Sequence, residues 1–419
     1  MKKIFPLLIL MFFCQISIFS QTDETYEKLS TFVDVMEIIN TNYVSETKPK
    51  NLVINAIKGM AGTLDLFSQY MEEKAYKEVQ TEADGSYGGV GLRIMTKNSN
   101  LIVVSPLPGT SAYKAGILPE DRIIKINDKS SVGMSTDRAV SIMRGKVGKK
   151  VKLTICRGKD AKEVEFTLVR EKVKIETVKS TIFDKNIAYI RLAEFNSQSA
   201  ADIRNELLNY KSQNIKALIL DLRNNPGGLL ESALEIVSMF VSERRLVLTT
   251  KGKIEETKTE YFTDGGGLFF DLPVVILINR GSASASEIVS GVMQDFKRAL
   301  IVGSNTFGKG SVQTIFPLSD GTALRLTTAK YYLPSGRPIE RSNEKTAKNG
   351  ITPDIDVNVT REEEIKLYAH GDMLFEKDKE LKNEVEDKAL NKALEIIKTN
   401  KIMEEIETSK VSSGLKKKR

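Results

Sequence analysis

From residue 22 to about 80 the apolar positions recur at helical spacing. Leu29, Phe32, Val33, Met36, Ile39 and Tyr43 form one stripe, and Leu52 to Leu64 gives a second amphipathic stretch, so this segment is expected to be helical. The pattern changes over 82–172, where glycines punctuate short β-branched runs such as Leu101–Val104, with one helical stretch near Thr136–Arg144. A small β-rich unit is predicted there. From about 173 to 360 apolar strands alternate with helices, which predicts an α/β layer fold. Ile215–Leu222 and Pro273–Asn279 are continuous apolar runs bounded by turn residues, as expected of strands covered on both faces. Each leads through a glycine-containing turn into a helical stripe, Leu229–Val241 and Ser284–Phe296. The two turns are thereby set at the carboxyl ends of strands, where open α/β sheets gather their functional groups. Beyond Thr360 Lys and Glu dominate, which predicts exposed helices over 361–419.

The first twenty residues follow a different rule. Lys2 and Lys3 precede an uncharged apolar run from Ile4 to Ile18, and the chain turns polar at Ser20. This is the layout of a secretory signal peptide, 1–20, with an uncleaved anchor as the alternative. The mature chain is then expected to begin near 21, to lack a membrane span, and to lie in the periplasm or cell envelope. The 62 Lys and Arg against 55 Asp and Glu are interspersed, so no nucleic-acid partner is implied, and Lys416–Arg419 reads as a solvated tail. Cys156 is the one cysteine outside the leader, which precludes a disulfide within the mature chain. The single histidine, His370, lies in the charged tail. Ser-His-Asp and Cys-His mechanisms, and zinc sites built from several histidines, are thereby excluded. Any hydrolase here needs another base.

The turn after the second apolar run, Asn279 to Glu287, alternates three serines with small residues at a predicted helix N-terminus. Free backbone N–H groups and the helix dipole favour developing negative charge there, which suits a serine nucleophile. The same residues, Ser284 through Glu287, also spell a capping box. On their own they leave both readings open. Downstream, Thr306–Gln313 places Lys309 between two glycines ahead of an apolar strand. A lysine buried there could serve as a neutral base, and in an extended segment Gln313 would share its face. The pattern is not the GxxxxGK[ST] phosphate loop, so a nucleotide site is not implied. The first turn, Asp221 to Gly228, ends in paired glycines that free backbone N–H groups or simply allow a tight turn.

LDLRNNPGG, GSASASE, the QD at 294–295, TFGKGSVQ and YYLPSGRPI, in this order, resemble the C-terminal processing (tail-specific) peptidases of family S41. The likeness runs from LDLFSQYM at 64–71 to PDIDV at 353–357. It implies Ser284 as nucleophile, Lys309 as base, Gln313 as its support, and the Ala285 and Gly228 amides as oxyanion hole. Asp295 matches an acid sometimes linked to activity in that family. On a continuous helix it would stand about 16 Å from Ser284, which favours a structural role. Residues 82–172 resemble the family's PDZ domain: Gly88, Gly89, Val90, Gly91 and Leu92 match the loop that binds a peptide carboxylate. The strand after that loop would accept a tail by β-augmentation. Pro108–Ala112, Ala115–Ile117 and Asp121–Ile124 match the PDZ core, with Pro119-Glu120-Asp121 departing from a common Gly-Asp.

The expected architecture is therefore an N-terminal helical segment (21–81), an inserted PDZ-like β-rich domain (82–172), an α/β core of the crotonase-like ββα type (173–360) and a charged helical tail (361–419). The expected function is a Ser–Lys serine endopeptidase acting on unstructured C-terminal tails of proteins, with no metal or cofactor implied. The alternatives are a catalytically inactive PDZ peptide-binding scaffold and, further off, a crotonase-like acyl-CoA enzyme. The sequence names no adaptor or activating protein.

Overall fold

In this computed structural model the described residues are 21–399, apart from 98, 108, 119, 158–161, 254–257, 340–349 and 371–385. The leader expected at 1–20, Pro108 and Pro119 of the β-rich unit, and the basic end at Lys416–Arg419 lie outside them. The N-terminal part comprises α1 (Gln21–Asn42), α2 (Pro49–Gly62), the short strand β1 (Gln69–Met71) and α3 (Glu73–Asp84). α2 opens with a proline in its first turn, where a missing N–H costs nothing, and α3 stops at Gly85 in the left-handed region (φ 63°).

The β-rich unit follows with β2 (Ser86–Gly89), β3 (Leu92–Lys97), β4 (Asn100–Pro106), α4 (Ser111–Lys114), β5 (Arg122–Ile126), β6 (Lys129–Ser130), α5 (Thr136–Met143), β7 (Lys150–Arg157), β8 (Lys162–Val169) and β9 (Glu171–Lys174). β3, β4, β5, β7 and β8 form an antiparallel sheet in that order. Its inward side chains, Leu101, Val103, Ile123 and Leu153 among them, pack with Ala139 and Met143 of α5. β2 pairs with β9, so the two ends of the unit lie side by side as a neck.

The α/β core contains β10 (Val178–Phe183), β11 (Ile187–Leu192), α6 (Ser199–Lys211), β12 (Ala217–Asp221), α7 (Leu230–Met239), β13 (Leu246–Gly252), β14 (Thr259–Phe262), β15 (Val274–Ile278), α8 (Ala285–Asp295), β16 (Ala299–Gly303), β17 (Ser311–Pro317), β18 (Ala323–Tyr332) and β19 (Ile355–Asp356). α9 (Arg361–His370) and α10 (Lys388–Lys398) follow. The main sheet runs β10-β11-β12-β15-β16-β19, parallel except for its first pair. Successive residues of a strand serve opposite faces. Leu218, Leu220, Ile276 and Ile301 face the core shared with α6, α7 and α8, whereas Ile219, Val275, Leu277 and Leu300 face the other side. Apolar cover on both faces is why the strands read as unbroken apolar runs. A second sheet, β1-β18-β13-β14 with β17 beside β18, joins the first core through Val247, Leu248 and Tyr331.

The α/β class with an inserted β-rich unit matches the expectation, and two local readings change. The stretch to residue 80 is not helical throughout, because β1 interrupts it and pairs with β18. The tail is not wholly exposed. Ala389, Leu390, Ala393 and Ile396 of α10 are buried and cover the second face of the main sheet, a narrow stripe easily overlooked among lysines and glutamates. Asp387 caps this helix by accepting the Leu390 N–H (3.1 Å). Leu390→Ala should therefore cost about 2–4 kcal/mol in chemical denaturation. An unchanged midpoint would mean that α10 lies outside the cooperative core.

Candidate active site

β15 ends at Ile278, and the chain turns sharply before α8 begins at Ala285. Two of the three serines in that turn are spent on structure. Ser282 Oγ donates to the Leu222 carbonyl (2.8 Å) and Ser286 Oγ to the Asn225 carbonyl (2.9 Å), and both side chains are fully buried. Ser284, at the N-cap, is the one that reaches solvent. Its backbone has φ 53° and ψ −113°, a conformation that disfavours a side chain and is held only by its surroundings.

What holds it is Glu287, one turn into α8 and fully buried. Its Oε2 accepts the Ser284 N–H (2.8 Å) and the Lys309 N–H (2.8 Å). Its Oε1 accepts the Gly308 N–H (2.7 Å) and the Thr306 hydroxyl (2.6 Å). One carboxylate thus ties the Ser284 turn to the Lys309 loop and brings the two backbones within a few ångströms of each other. Burial pushes the Glu287 carboxyl above its usual range, while these four donors pull it down. Four converging donors leave no acceptor for a proton, so the geometry calls for the carboxylate. The glutamate half of the capping box is formed, and the same carboxylate serves a second loop as well.

The turn after β12 lies against the same spot. A Cβ on Gly227 would stand 2.8 Å from Ser284 Cβ and 2.9 Å from the Ala285 nitrogen, so only glycine fits (φ 102°). Asn225 Oδ1 accepts the Gly227 N–H (2.9 Å), and the Gly227 carbonyl accepts from Phe195 (2.9 Å). Gly228 forms a bridge with Phe195, and its N–H, like that of Ala285, has no partner among the described residues. Asn224 and Asn279 join the two turns by reciprocal bonds of 2.9 and 3.0 Å. Arg223 pairs with Asp221 (2.6 Å) and with Asp387 of α10 (2.8 Å), shaping this turn from beneath.

Lys309 is half-buried, and burial, followed by the Arg325 guanidinium, holds its amine below the usual lysine range while Glu287 opposes them. The amine lies 4.9 Å from the centroid of the Phe67 ring, and no hydrogen bond joins it to Ser284 Oγ. Catalytic hydrogen bonds commonly tighten only when substrate is bound. Gln313 sits beyond a bulge at Val312/Gln313, so simple alternation from Lys309 does not apply. Its Nε2 donates to Thr327 Oγ1 (2.8 Å) and Ser311 Oγ (3.1 Å), while its buried Oε1 has no partner among the described residues. Asp295 lies at the far end of α8, paired with Arg337 (3.0 Å) and accepting the Ser335 N–H (3.0 Å), which fixes the YYLPSGRPI turn. Phe67 and the bridging role of Glu287 are what the sequence reasoning missed. Capping chemistry hinted at Glu287, and only the LDLFSQYM stretch contained Phe67.

In the β-rich unit Gly88 and Gly89 belong to β2, paired with Lys172 and Glu171 of β9, and the Gly88 carbonyl accepts the Gly145 N–H (2.9 Å). Val90 and Gly91 (φ 75°) make the turn into β3, where Leu92 begins. β3 is an edge strand with β4 on one side only. Thr96 Oγ1 and Thr136 Oγ1 (2.8 Å) tie its far end to α5.

Sequence models match in three places: Peptidase family S41 over residues 186–357, a PDZ domain over 78–156, and the activating protease CtpB N-terminal domain over 15–75. A carboxy-terminal-processing protease of Bartonella bacilliformis is 38% identical over 348 residues, which are 82% of this chain and 78% of that protein.

The chain belongs to peptidase family S41.

It is similar as well to the carboxy-terminal processing protease CtpA of Bacillus subtilis, 32% identical over 84% of this chain and 74% of that one. Among solved structures, a photosystem II D1 C-terminal processing protease aligns with a TM-score of 0.44 at 28% identity, covering 78% of this chain and 92% of its own. In this S41 peptidase Glu287→Gln would set an amide NH2 against two buried donors. The variant should lose roughly 3 kcal/mol of stability and at least about tenfold in turnover, read by denaturation and peptide hydrolysis. Wild-type values in both would show that the carboxylate joins nothing of consequence.

Proposed function

We propose that this peptidase is a serine endopeptidase with a Ser284–Lys309 dyad, and that its PDZ domain binds the C-terminal tail of the substrate. The observation that carries the reading is the shared oxygen of Glu287, which receives the N–H of both residues at one helix N-terminus. What supports the reading is that one carboxylate oxygen ties the backbone of a solvent-reaching serine to that of a lysine whose amine has a lowered pKa. Neutral Lys309 takes the Ser284 proton as Oγ bonds to the scissile carbonyl carbon. The oxyanion accepts from the unpartnered N–H groups of Ala285 and Gly228. Gly227 is the weaker candidate, because Asn225 occupies its N–H. The C–N bond then breaks, Lys309 passes its proton to the leaving amine, and water releases the acyl group by the same route in reverse. The unpartnered Gln313 Oε1 is the acceptor available to steady the amine.

The free edge of β3 supports tail binding, since an extended peptide can add there between β3 and α5 with its carboxylate at the Val90–Leu92 turn. Among the described residues no helix is long and apolar enough to cross a membrane. With the basic-then-apolar start of the chain, export to the periplasm or cell envelope is the location proposed. An inactive PDZ scaffold would have no chemical need for a solvent-reaching serine and a half-buried lysine tied to one carboxylate.

Ser284→Ala and Lys309→Ala should each lower kcat/KM by at least about a thousandfold, and Lys309→Arg nearly as much, because a guanidinium stays protonated. Activity of the intact enzyme should rise with pH through the lowered lysine pKa, since the neutral amine is the base. Near-normal turnover by the arginine variant would remove Lys309 as base. Peptides with free C-termini should be cleaved faster than their amidated forms. Equal rates would count against tail recognition and leave the dyad standing.

A further inference from the structure

The Lys309 amine is covered by a residue from outside the α/β core. Phe67, whose ring centroid lies 4.9 Å from Nζ, belongs to the turn between α2 and β1. That turn is firmly built. Asp65 Oδ1 accepts the N–H groups of Phe67 (2.7 Å) and Ser68 (2.8 Å), and Oδ2 accepts the Ser68 hydroxyl (2.8 Å). It is also fastened to β18: Ser68 Oγ accepts the Thr327 N–H (3.1 Å) and Arg325 Nε donates to the Phe67 carbonyl (3.2 Å). β1 extends the attachment by pairing Gln69, Tyr70 and Met71 with Arg325, Leu324 and Ala323. The same Thr327 accepts from Gln313 (2.8 Å), so one short N-terminal segment braces the strand behind the glutamine and places an aromatic ring over the lysine.

We propose that Phe67 is a positioning residue of this peptidase: its ring walls the Lys309 amine from water, so the N-terminal segment completes a base that the α/β core alone would leave solvated. The proposal rests on the Ser284–Lys309 reading. Two effects of the ring oppose each other. Its face attracts a cation, which favours the ammonium, and its bulk excludes water, which favours the free amine. The charges facing the amine are Arg325 of β18, which disfavours the ammonium, and Glu287 of α8, which favours it. Asp65, in the same turn as the ring, has its oxygens committed to the turn's own donors and to the Thr327 side chain of β18. Burial is the leading influence on Lys309 and its direction is downward, and the Phe67 ring, 4.9 Å from the amine, is part of what buries it.

The test uses the full chain and reads sulfonylation of Ser284 Oγ by a small sulfonyl fluoride, with loss of fluoride, across pH, which needs no peptide and no PDZ engagement. In Phe67→Ala the acid limb should move up by about one pH unit, and labelling on that limb should fall about tenfold. Phe67→Leu should restore the limb, because an apolar wall is what is required. Phe67→Gln keeps side-chain bulk but brings a polar group to the amine, and should shift the limb as Ala does even if the Ala variant folds poorly. A uniform slowing with the limb unmoved would overturn the proposal, as would a leucine variant no better than alanine. Labelling that persists in Ser284→Ala would instead bring down the Ser–Lys reading itself.

Discussion

The site depends on one buried carboxylate. Glu287 is fully buried on the first turn of α8, and a charge there is tolerable only because four donors surround it. Those donors come from two loops: the turn before α8 and the Thr306–Lys309 loop after β16. The Phe307 N–H bond to the Ser282 carbonyl (3.0 Å) and the Ser304 N–H bond to the Ile278 carbonyl (3.2 Å), at the ends of the paired strands β16 and β15, register the loops further. Crowding around the carboxylate reinforces this. A Cβ on Gly350 would come within 2.8 Å of Glu287 Oε1 and 2.3 Å of Thr306 Oγ1, so glycine is needed where the bend at 350 passes the carboxylate. The strained backbone of Ser284 is the local cost of aiming a hydroxyl outward at a helix N-terminus, and the Glu287 bond to its N–H offsets it.

Around this clamp the remaining parts are joined by backbone hydrogen bonds rather than by loose contact. The neck of the PDZ domain is one instance. Ile175 donates to the Gly85 carbonyl (2.9 Å), while Ser197 donates through its N–H to Ala83 (3.0 Å) and through its hydroxyl to Asp84 (2.8 Å). Two residues earlier, Phe195 bonds to Gly227 and accepts from Leu229 (2.8 Å), which brackets Gly228. The segment 195–197 therefore touches the PDZ neck at one end and the glycine turn beside Ser284 at the other. On the opposite side, Asp387 ties the start of α10 to Arg223 of that same turn.

The fold was legible where physics is local. Unbroken apolar runs gave β12 and β15, and stripes gave α7 and α8, because strands buried on both faces and half-buried helices leave those periods. The family resemblance pointed to Ser284 and Lys309, and the structure adds that Ser282 and Ser286 have their hydroxyls bonded to the β12 turn. What stayed hidden is non-local. The pairing of β1 with β18 joins positions more than half the chain apart, so nothing near Phe67 announces the lysine it covers. The bulge at Val312/Gln313 defeats simple alternation. α10 buries a stripe too narrow to stand out against its charges.

On the proposed mechanism Glu287 holds Ser284 and Lys309 as one catalytic unit. A crystal structure of the protein with a peptide boronate tests it most directly. Boron should be bonded to Ser284 Oγ, with a boronate oxygen between the Ala285 and Gly228 N–H groups, Lys309 Nζ within about 3 Å of Ser284 Oγ, and both Glu287 Oε2 bonds intact. Boron on another residue, or an adduct on Ser284 with the Glu287 bonds broken, would contradict it.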